Sequence, residues 1–444
     1  MKEEKAKVLV VGCGKSGDAV ARLLIQKGAA VTITDQKPIP QKAQLEQLGI
    51  TVLDGGHPES LKQIDWDYLV KNPGIPYHNP FIAYFLEKKV PIYTEVEIAY
   101  HYAKGFTYGA VTGTNGKTTI TSLLYALLKR KKDHALVAGN IGYALSEVVL
   151  AHGEETADVA IELSNFQLLG IKDFHPLVSV VCNLAPDHLD YMKSEEAYYA
   201  SKMKIMQNQS GDDWFLRNVD DATLMRYAKA IPCKIIDFSL ERQDVDLYVK
   251  EGAVYLWDQL LFSIDSLQIV GKHNLANAMV AACMAYKMGV PLVEIRNGIA
   301  AFEGVEHRLE FCGERNGVRF YNDSKATNTD ACETALSSFD GNVILLAGGY
   351  DKGISYDSLR KYDAKVKKCF AYGMIKDQFV PIFTHVETVT DLKAAFDQAV
   401  ALAQSGDVIL LAPATSSYDQ FANYEERGRV FKDYVAEYLK QGQR

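Results

Sequence analysis

Several things that would steer a reading are scarce in this sequence. Seven cysteines are spread over 444 residues with no CxxC pair (Cys13, Cys182, Cys233, Cys283, Cys312, Cys332, Cys369). That argues against a disulfide framework or a thiolate zinc site and for reduced thiols. No apolar run approaches the ~20 residues needed to span a bilayer. The charged start, Met1 to Lys7, runs straight into an apolar strand, so neither a signal peptide nor an anchor is expected. Basic charge is not in excess: 48 Lys and Arg stand against 56 Asp and Glu, a net of −8, which disfavours a nucleic-acid partner. Repeats and low-complexity tracts are missing too. What is left is a cytoplasmic globular protein that handles small molecules. Its 444 residues exceed one ordinary core, so several domains are expected.

What the sequence does have is strand and helix patterns in alternation, the mark of doubly wound α/β domains. Residues 7–12 read as a buried parallel strand, followed by a helix with Val20, Leu23 and Leu24 on one face and a second strand at 31–35. A strand at 110–112 precedes a helix whose Ile120, Leu123, Leu124, Leu127 and Leu128 keep i, i+3, i+4, i+7, i+8 spacing. Further strands are expected at 159–163, 177–182, 343–347 and 408–411. The pattern restarts near residues 95 and 304. This gives three α/β domains, residues 1–95, 96–304 and 305–444. The first and third are expected to be Rossmann-like, and the second a parallel sheet of the P-loop ATPase kind.

Two glycine turns carry the first chemistry. Gly12-Cys13-Gly14-Lys15-Ser16-Gly17 is a full GxGxxG between a strand and a helix. Asp35 ends the next strand, at the distance expected of a ribose-binding carboxylate. Such a turn brings the backbone and a helix N-terminus to a pyrophosphate. Alone it fits NAD, a UDP-sugar, or a tight turn without ligand. The second, Thr112-Gly113-Thr114-Asn115-Gly116-Lys117-Thr118-Thr119, would cradle β- and γ-phosphates on backbone N–H groups, with Lys117 neutralising charge and Thr118 ligating Mg²⁺. It is not a standard Walker A, because Val111 stands where that motif needs its first glycine. A nicotinamide enzyme has no use for a triphosphate loop, so the second turn weighs against NAD at the first.

Other residues gain meaning from these turns. Glu162 interrupts an apolar strand, where a lone carboxylate is costly to bury. It is either a strand-end residue facing solvent or a metal ligand beside the phosphate loop. His188 follows the strand at 177–182, in the kind of loop where α/β sites form. Lys202 reads from spacing alone as an exposed helix lysine. Asn274 and Asn277 share one helix face at i, i+3 and suit a nucleobase, with helix capping by Asn274 as the alternative.

Taken in order from Gly12 to Arg427, these motifs resemble the Mur ligase family over essentially the whole chain. The tail Ala412-Pro-Ala-Thr-Ser-Ser-Tyr-Asp-Gln-Phe-Ala-Asn-Tyr-Glu-Glu-Arg-Gly428 is most similar to the D-glutamate-adding branch, and Gly139-Asn140-Ile141-Gly142 and Asn72-Pro73-Gly74-Ile75 agree. Asn115 stands where the alanine-adding branch has histidine, and the Asp-Asn-Pro-Arg signature of the diaminopimelate-adding branch is absent. Gln36-Lys37 departs from the Thr-Arg of some relatives at the uracil-ribose contacts.

The resemblance implies ATP-dependent joining of D-glutamate to UDP-N-acetylmuramoyl-L-alanine through an acyl phosphate, in cytoplasmic peptidoglycan precursor synthesis. The enzyme would be a monomer requiring Mg²⁺, with no nucleic-acid or membrane partner. For the UDP substrate it nominates Lys15, Ser16, Gly17, Asp35, Gly74, Asn140 and His188. For ATP it nominates Gly113, Thr114, Asn115, Gly116, Lys117, Thr118, Thr119, Asn274, Asn277, Arg308, Asp323 and Lys325. Thr118, Glu162, His188 and Lys202, the last as a carbamate, would hold the metal. Thr327, Lys352, Ser417 and the backbone of Tyr424 would hold D-glutamate. Catalysis would fall to Lys117, Glu162, His188, Lys202, Arg308 and Lys325, with hinges near residues 93–97 and 302–308. Rival readings are another Mur-type or folylpolyglutamate-like ligase, an NAD-dependent oxidoreductase, and a nucleotide-sugar sensor that binds ATP without turnover.

Overall fold

Three sheets organise the computed structural model, which describes residues 5–131, 134–185, 192 and 194–441. The chain divides into two units: residues 1–266 with 276–299, and residues 267–275 with 300–444.

The first unit holds two sheets. One comprises β1 (Lys7–Val11), β2 (Ala30–Asp35), β3 (Thr51–Asp54), β4 (Tyr68–Lys71) and β5 (Ile92–Tyr93). It is wholly parallel in the order β3-β2-β1-β4-β5. Strand order reverses between β1 and β4, and such a switch point opens a crevice at the strands' C-terminal ends. The turns after β1 and β4 both lie there.

The second sheet runs β6 (Gly105–Thr112), β7 (Ala135–Gly139), β8 (Thr156–Glu162), β9 (Val178–Val181), β10 (Trp214–Asn218), β11 (Lys234–Phe238), β12 (Leu247–Lys250), β13 (Ala253–Leu256) and β14 (Gln259–Ser263). Its order is β14-β13-β12-β11-β10-β9-β6-β8-β7. It is parallel from β7 through β12, but β12, β13 and β14 pair antiparallel, so the expectation of a parallel sheet needs correcting at that edge. The reason is local. Only Glu251-Gly252 links β12 to β13, both at positive φ (+49° and +74°), and a two-residue link of this kind can only reverse the chain.

Between the two sheets lies a joint that is tied down. The Thr94 hydroxyl donates to the Gln167 carbonyl (2.9 Å). Glu95 accepts the Ser146 N–H, and Glu97 accepts the N–H groups of Lys172 (2.9 Å), Asp173 (2.8 Å) and Phe174 (3.2 Å). These bonds fall on residues 93–97, the segment over which a hinge is expected.

The second unit is built on β15 (Glu310–Arg315), β16 (Val318–Asn322), β17 (Val343–Gly348), β18 (Val366–Tyr372), β19 (Val386–Thr388) and β20 (Val408–Leu411). The order is β15-β16-β20-β17-β18-β19, parallel except for the β15–β16 hairpin, which turns on Asn316-Gly317 at positive φ. The ends of β16, β20 and β17 are neighbours, so the loops that follow them converge. Among the described residues no helix is long and apolar enough to cross a membrane.

Candidate active site

At the first glycine turn, Gly12 takes φ +94° and donates its N–H to the Thr34 carbonyl (2.8 Å). The helix Lys15–Gln26 starts directly after Gly14. A side chain at Gly17 would overlap the Gly12 carbonyl oxygen, which is why the helix can approach this closely. Asp35 is committed on both oxygens, to the N–H of Cys13 (2.6 Å) and of Lys37 (2.9 Å), so it ties the turn to the loop after β2. Burial pushes the Cys13 thiol up to about 11, with Asp18 and Asp35 adding to the shift. Gly74 reaches this place on the turn after β4, its N–H held by the Asn72 side chain (3.0 Å).

The second turn is a more heavily bonded object. Gly113 has φ +142°, and a Cβ there would stand 2.9 Å from Cys182 on the neighbouring strand end. Gly116, at φ +87°, caps the helix Lys117–Leu128. Asn183 pins the turn from outside. Its carbonyl accepts the Thr114 N–H (3.1 Å), its side-chain oxygen accepts the Asn115 N–H (2.9 Å), and its amide donates to the Asn115 carbonyl (3.0 Å). The Lys117 ammonium folds back on the carbonyls of Thr114 (2.8 Å) and Gly113 (3.0 Å), within the loop it would share with phosphate. A Cβ on Gly116 would come 2.5 Å from the Asn277 side-chain oxygen, which puts Asn277 beside the loop. Asn274 lies inside the first turn of the helix Lys272–Lys287 and donates to the Val270 carbonyl (2.8 Å).

Strand register delivers Glu162 to the same place. It ends β8 opposite Val111 of β6 and Gly139 of β7, and is 1% exposed. One carboxylate oxygen accepts the Asn140 amide (2.7 Å), while the other is buried without a hydrogen-bond partner among the described residues. A buried carboxylate oxygen left without a donor is costly, and a hard cation would satisfy it. Oxygen donors from Glu162 and Thr118 therefore fit Mg²⁺. Lys202 is not an exposed lysine: it is 1% exposed and donates to the Gly113 carbonyl (2.7 Å), with its ammonium 4.5 Å from the Tyr198 ring centre. His188 lies outside the described residues. Beneath the loop, burial pushes the Cys182 thiol up to about 12, Lys117 and Lys202 pull it back, and Glu162 pushes it further. Lys117 and Lys202 thus share the Gly113 carbonyl, and Glu162 ends the strand beside the one that leads into that loop.

In the second unit the converging loops gather the remaining candidates. Asp323, just after β16, is buried; its side chain accepts the Leu309 N–H (3.2 Å). Burial raises it to about 6, against Arg308, that N–H and Lys325. Among the described residues the Arg308 Nε is buried without a hydrogen-bond partner, and Lys325 lies 5.7 Å from the Tyr424 ring centre. Lys352 donates to the Thr327 carbonyl (2.8 Å), and burial together with Arg427 lowers its pKa. Ser417 is 2% exposed and closes a tight turn, accepting the N–H groups of Gln420 and Phe421 on its carbonyl. The Tyr424 carbonyl accepts the Ser324 hydroxyl (2.8 Å).

Residues without a predicted role hold these loops. Arg427 is fully buried and donates to the Ser324 hydroxyl (3.0 Å), the Ser324 carbonyl (2.8 Å) and the Thr415 carbonyl (3.2 Å). It stood in the tail motif, but only its partners reveal what it does. Asn183 carried a signal, a polar residue directly after a buried strand. Lys71 carried none.

Family models match three consecutive stretches: the "MurD-like, N-terminal domain" at residues 6–94, the "Mur ligase middle domain" at 111–285, and the "glutamate ligase domain" at 307–415. The UDP-N-acetylmuramoylalanine–D-glutamate ligase of Geobacillus kaustophilus is 43% identical over 439 residues, covering 97% of each chain. The enzyme of the same name from Bacillus subtilis is 38% identical, covering 97% of this chain and 98% of its own. Among solved structures, the UDP-N-acetylmuramate-alanine ligase of Thermotoga maritima superposes with a TM-score of 0.59 at 20% identity, over 98% of this chain and 99% of the other, which speaks to the fold alone. With three family domains in succession and relatives this similar over nearly the full length, the chain belongs to the Mur ligase family.

Proposed function

We propose that this protein is the ATP-dependent ligase that joins D-glutamate to UDP-N-acetylmuramoyl-L-alanine in peptidoglycan precursor synthesis, acting in the cytoplasm as a monomer. The observation that carries the reading is the meeting of a phosphate loop, Lys117, Lys202 and the buried, half-partnered Glu162 at the end of β6 and β8. A nucleotide sensor has no need of a buried carboxylate there, and hydride transfer has no need of the loop.

The alanine carboxylate attacks the γ-phosphate of ATP, giving an acyl phosphate and ADP. The D-glutamate amine then attacks the acyl carbon; the amide forms and inorganic phosphate leaves. Lys117 shifts from its own loop carbonyls to phosphate oxygens, where its charge counts most as the transferred group passes between them. Arg308 and Lys325 neutralise phosphate charge, Asp323 meets the ribose, and Asn274 and Asn277 read the base. Glu162 and Thr118, with His188 and a carbamylated Lys202, would hold Mg²⁺, whose charge would screen the anionic reactants. Lys202 is an ammonium donor when it bonds Gly113, so to become an anionic ligand it loses one proton to give the amine, whose nitrogen then bonds the carbon of carbon dioxide and releases a second proton, leaving an N-carboxylate. Lys15, Ser16, Gly17, Asp35, Gly74 and Asn140 hold the UDP substrate. Thr327, Lys352 and Ser417, with the Tyr424 backbone, take the two carboxylates of D-glutamate, a job that needs a cation and several donors.

The test is phosphate release with UDP-N-acetylmuramoyl-L-alanine and a panel of amino acids, with oxygen-18 in the alanine carboxylate. D-glutamate should be the preferred amine, and one labelled oxygen should appear in phosphate. Preference for another amino acid would move the protein within the family, and label confined to the product would remove the acyl phosphate.

A further inference from the structure

Lys71 ends β4 with 0% of its surface exposed, a costly place for an ammonium unless its donors are used. They are. Its Nζ donates to the carbonyl oxygens of Ile75 (2.7 Å), Asn72 (3.1 Å) and Pro73 (3.4 Å), and lies 4.6 Å from the Tyr77 ring centre. Three of the four carbonyls in the turn Asn72-Pro73-Gly74-Ile75 are thus gathered on one cation. The other side of this turn is pressed against the first glycine loop. The Asn72 N–H donates to the Val11 carbonyl (2.8 Å), and its side chain occupies the space that the glycines leave. A Cβ on Gly12 would stand 2.7 Å from the Asn72 Cβ, and one on Gly14 would stand 2.9 Å from the Asn72 amide nitrogen. The same side chain accepts the Gly74 N–H (3.0 Å). Asn72 is therefore a wedge between the two loops at the switch point, and Lys71 holds the wedge from behind.

We propose that Lys71 is the positioning residue of the UDP-substrate site, fixing the turn after β4 against the glycine loop so that three of the turn's carbonyl oxygens are held away from an anionic pyrophosphate. This rests on the assignment of the first glycine turn to the UDP moiety. The physical argument has two parts. Carbonyl oxygens repel an anion, and an ammonium that collects three of them keeps their negative ends on the buried side. Its positive charge also stands behind the loop, where low polarity lets it act further than in water. Burial lowers Lys71 to about 8, so it stays an ammonium at neutral pH.

Two variants of the full chain test this, Lys71→Met, which keeps the bulk and removes donor and charge, and Lys71→Gln, which keeps a donor without the charge. Three quantities are read: calorimetric affinity for UDP, the KM values for UDP-N-acetylmuramoyl-L-alanine and for ATP, and amide exchange at residues 12–17 and 72–75. Lys71→Met should weaken UDP and raise the UDP-substrate KM on the order of ten- to hundred-fold, as loss of hydrogen bonds to a charged group does. The KM for ATP should stay put, exchange in both segments should rise, and Lys71→Gln should recover part of each change. A folded Lys71→Gln with parental UDP affinity and parental exchange overturns the proposal, and equal movement of both KM values overturns it by showing general damage. Should Lys71→Met fail to fold, Lys71→Gln decides alone. If the parent itself binds no UDP, the assignment of the turn falls, and unchanged exchange in Lys71→Gln separately removes the positioning role.

Discussion

After β1 the chain turns at Gly12 and enters the helix Lys15–Gln26; after β6 it turns at Gly113 and enters the helix Lys117–Leu128. Both turns use positive φ at their first glycine, and both aim a helix N-terminus at the mouth of a parallel sheet. Their surroundings differ. Around the first, Asp35 and Lys71 spend themselves on backbone groups of opposite sides, and the chemistry is that of a fixed cradle. Around the second, Lys117 and Lys202 share the Gly113 carbonyl beside Glu162, one of whose carboxylate oxygens has no donor among the described residues. An anion that is only held needs geometry. An anion whose charge changes during reaction needs mobile cations and a carboxylate that can take a metal.

The sharpest way to break this contrast is to remove the cation from the second turn. Lys117→Ala should lower phosphate release by on the order of 10²–10³, the scale seen when one donor to a developing charge is lost. Calorimetric affinity for the UDP substrate should stay at the parental value. A variant that loses UDP affinity instead would show that the turns are not separate devices.

Next in size is Lys202. Lys202→Ala should cost at least the roughly 10–100-fold that loss of even an outer partner of a metal costs. Lys202→Glu, which restores a carboxylate, should recover more activity than Lys202→Arg, which keeps the positive charge. Stripping bicarbonate should slow the parent reversibly and leave Lys202→Glu unaffected. If Lys202→Arg matches the parent and carbon dioxide has no effect, Lys202 acts through its bond to Gly113 and not as a metal ligand.

The first turn is tested by volume. A methyl group on Gly17 would overlap the Gly12 carbonyl oxygen, so the helix must draw back. Gly17→Ala should cost about 1–3 kcal/mol in overpacking. The UDP-substrate KM should rise while the ATP KM stays, the mirror image of Lys117→Ala; a rise in both would count against the separation.

How much of this was legible follows from which forces are local. Both glycine turns, the strands that feed them and the buried face of the helix Lys117–Leu128 are written in adjacent residues, by positive φ, by apolar runs and by 3.6-residue spacing. The Glu251-Gly252 turn was equally local, yet an antiparallel edge was not expected where alternation with helices suggested parallel strands. Lys202 looked exposed because its spacing fits a helix surface; its burial depends on Gly113, 89 residues away. The Asn140–Glu162 pair depends on the register of β7 with β8, and parallel register is not encoded by any short motif. Lys71 and Arg427 show the same limit from the other side. A buried cation is recognised only by the carbonyls that surround it, and those come from turns whose shape the sequence does not print.

The smallest expected effect concerns the joint that sets the two turns at their distance. Glu95 begins the helix Glu95–Tyr102 after the first sheet and accepts the N–H of Ser146, which belongs to the helix Leu145–His152 of the second. Its other oxygen is buried without a hydrogen-bond partner among the described residues. Burial raises Glu95 from its ordinary 4.5 to about 7, the Ser146 N–H and side chain pulling the other way. A carboxyl whose folded pKa lies above its unfolded one holds its proton more tightly when folded. Its contribution is therefore complete below pH 4.5 and is lost as pH rises through about 7. The parent's Tm should fall by a few degrees between pH 5 and 8 relative to Glu95→Gln, since 1 kcal/mol is worth roughly 2–4 °C in a domain of 150–250 residues. Taking the difference between the two proteins cancels every other carboxylate they share. Scanning calorimetry across that range decides it: parallel pH profiles would mean that the unpartnered oxygen finds a donor in solution and that the joint carries no proton.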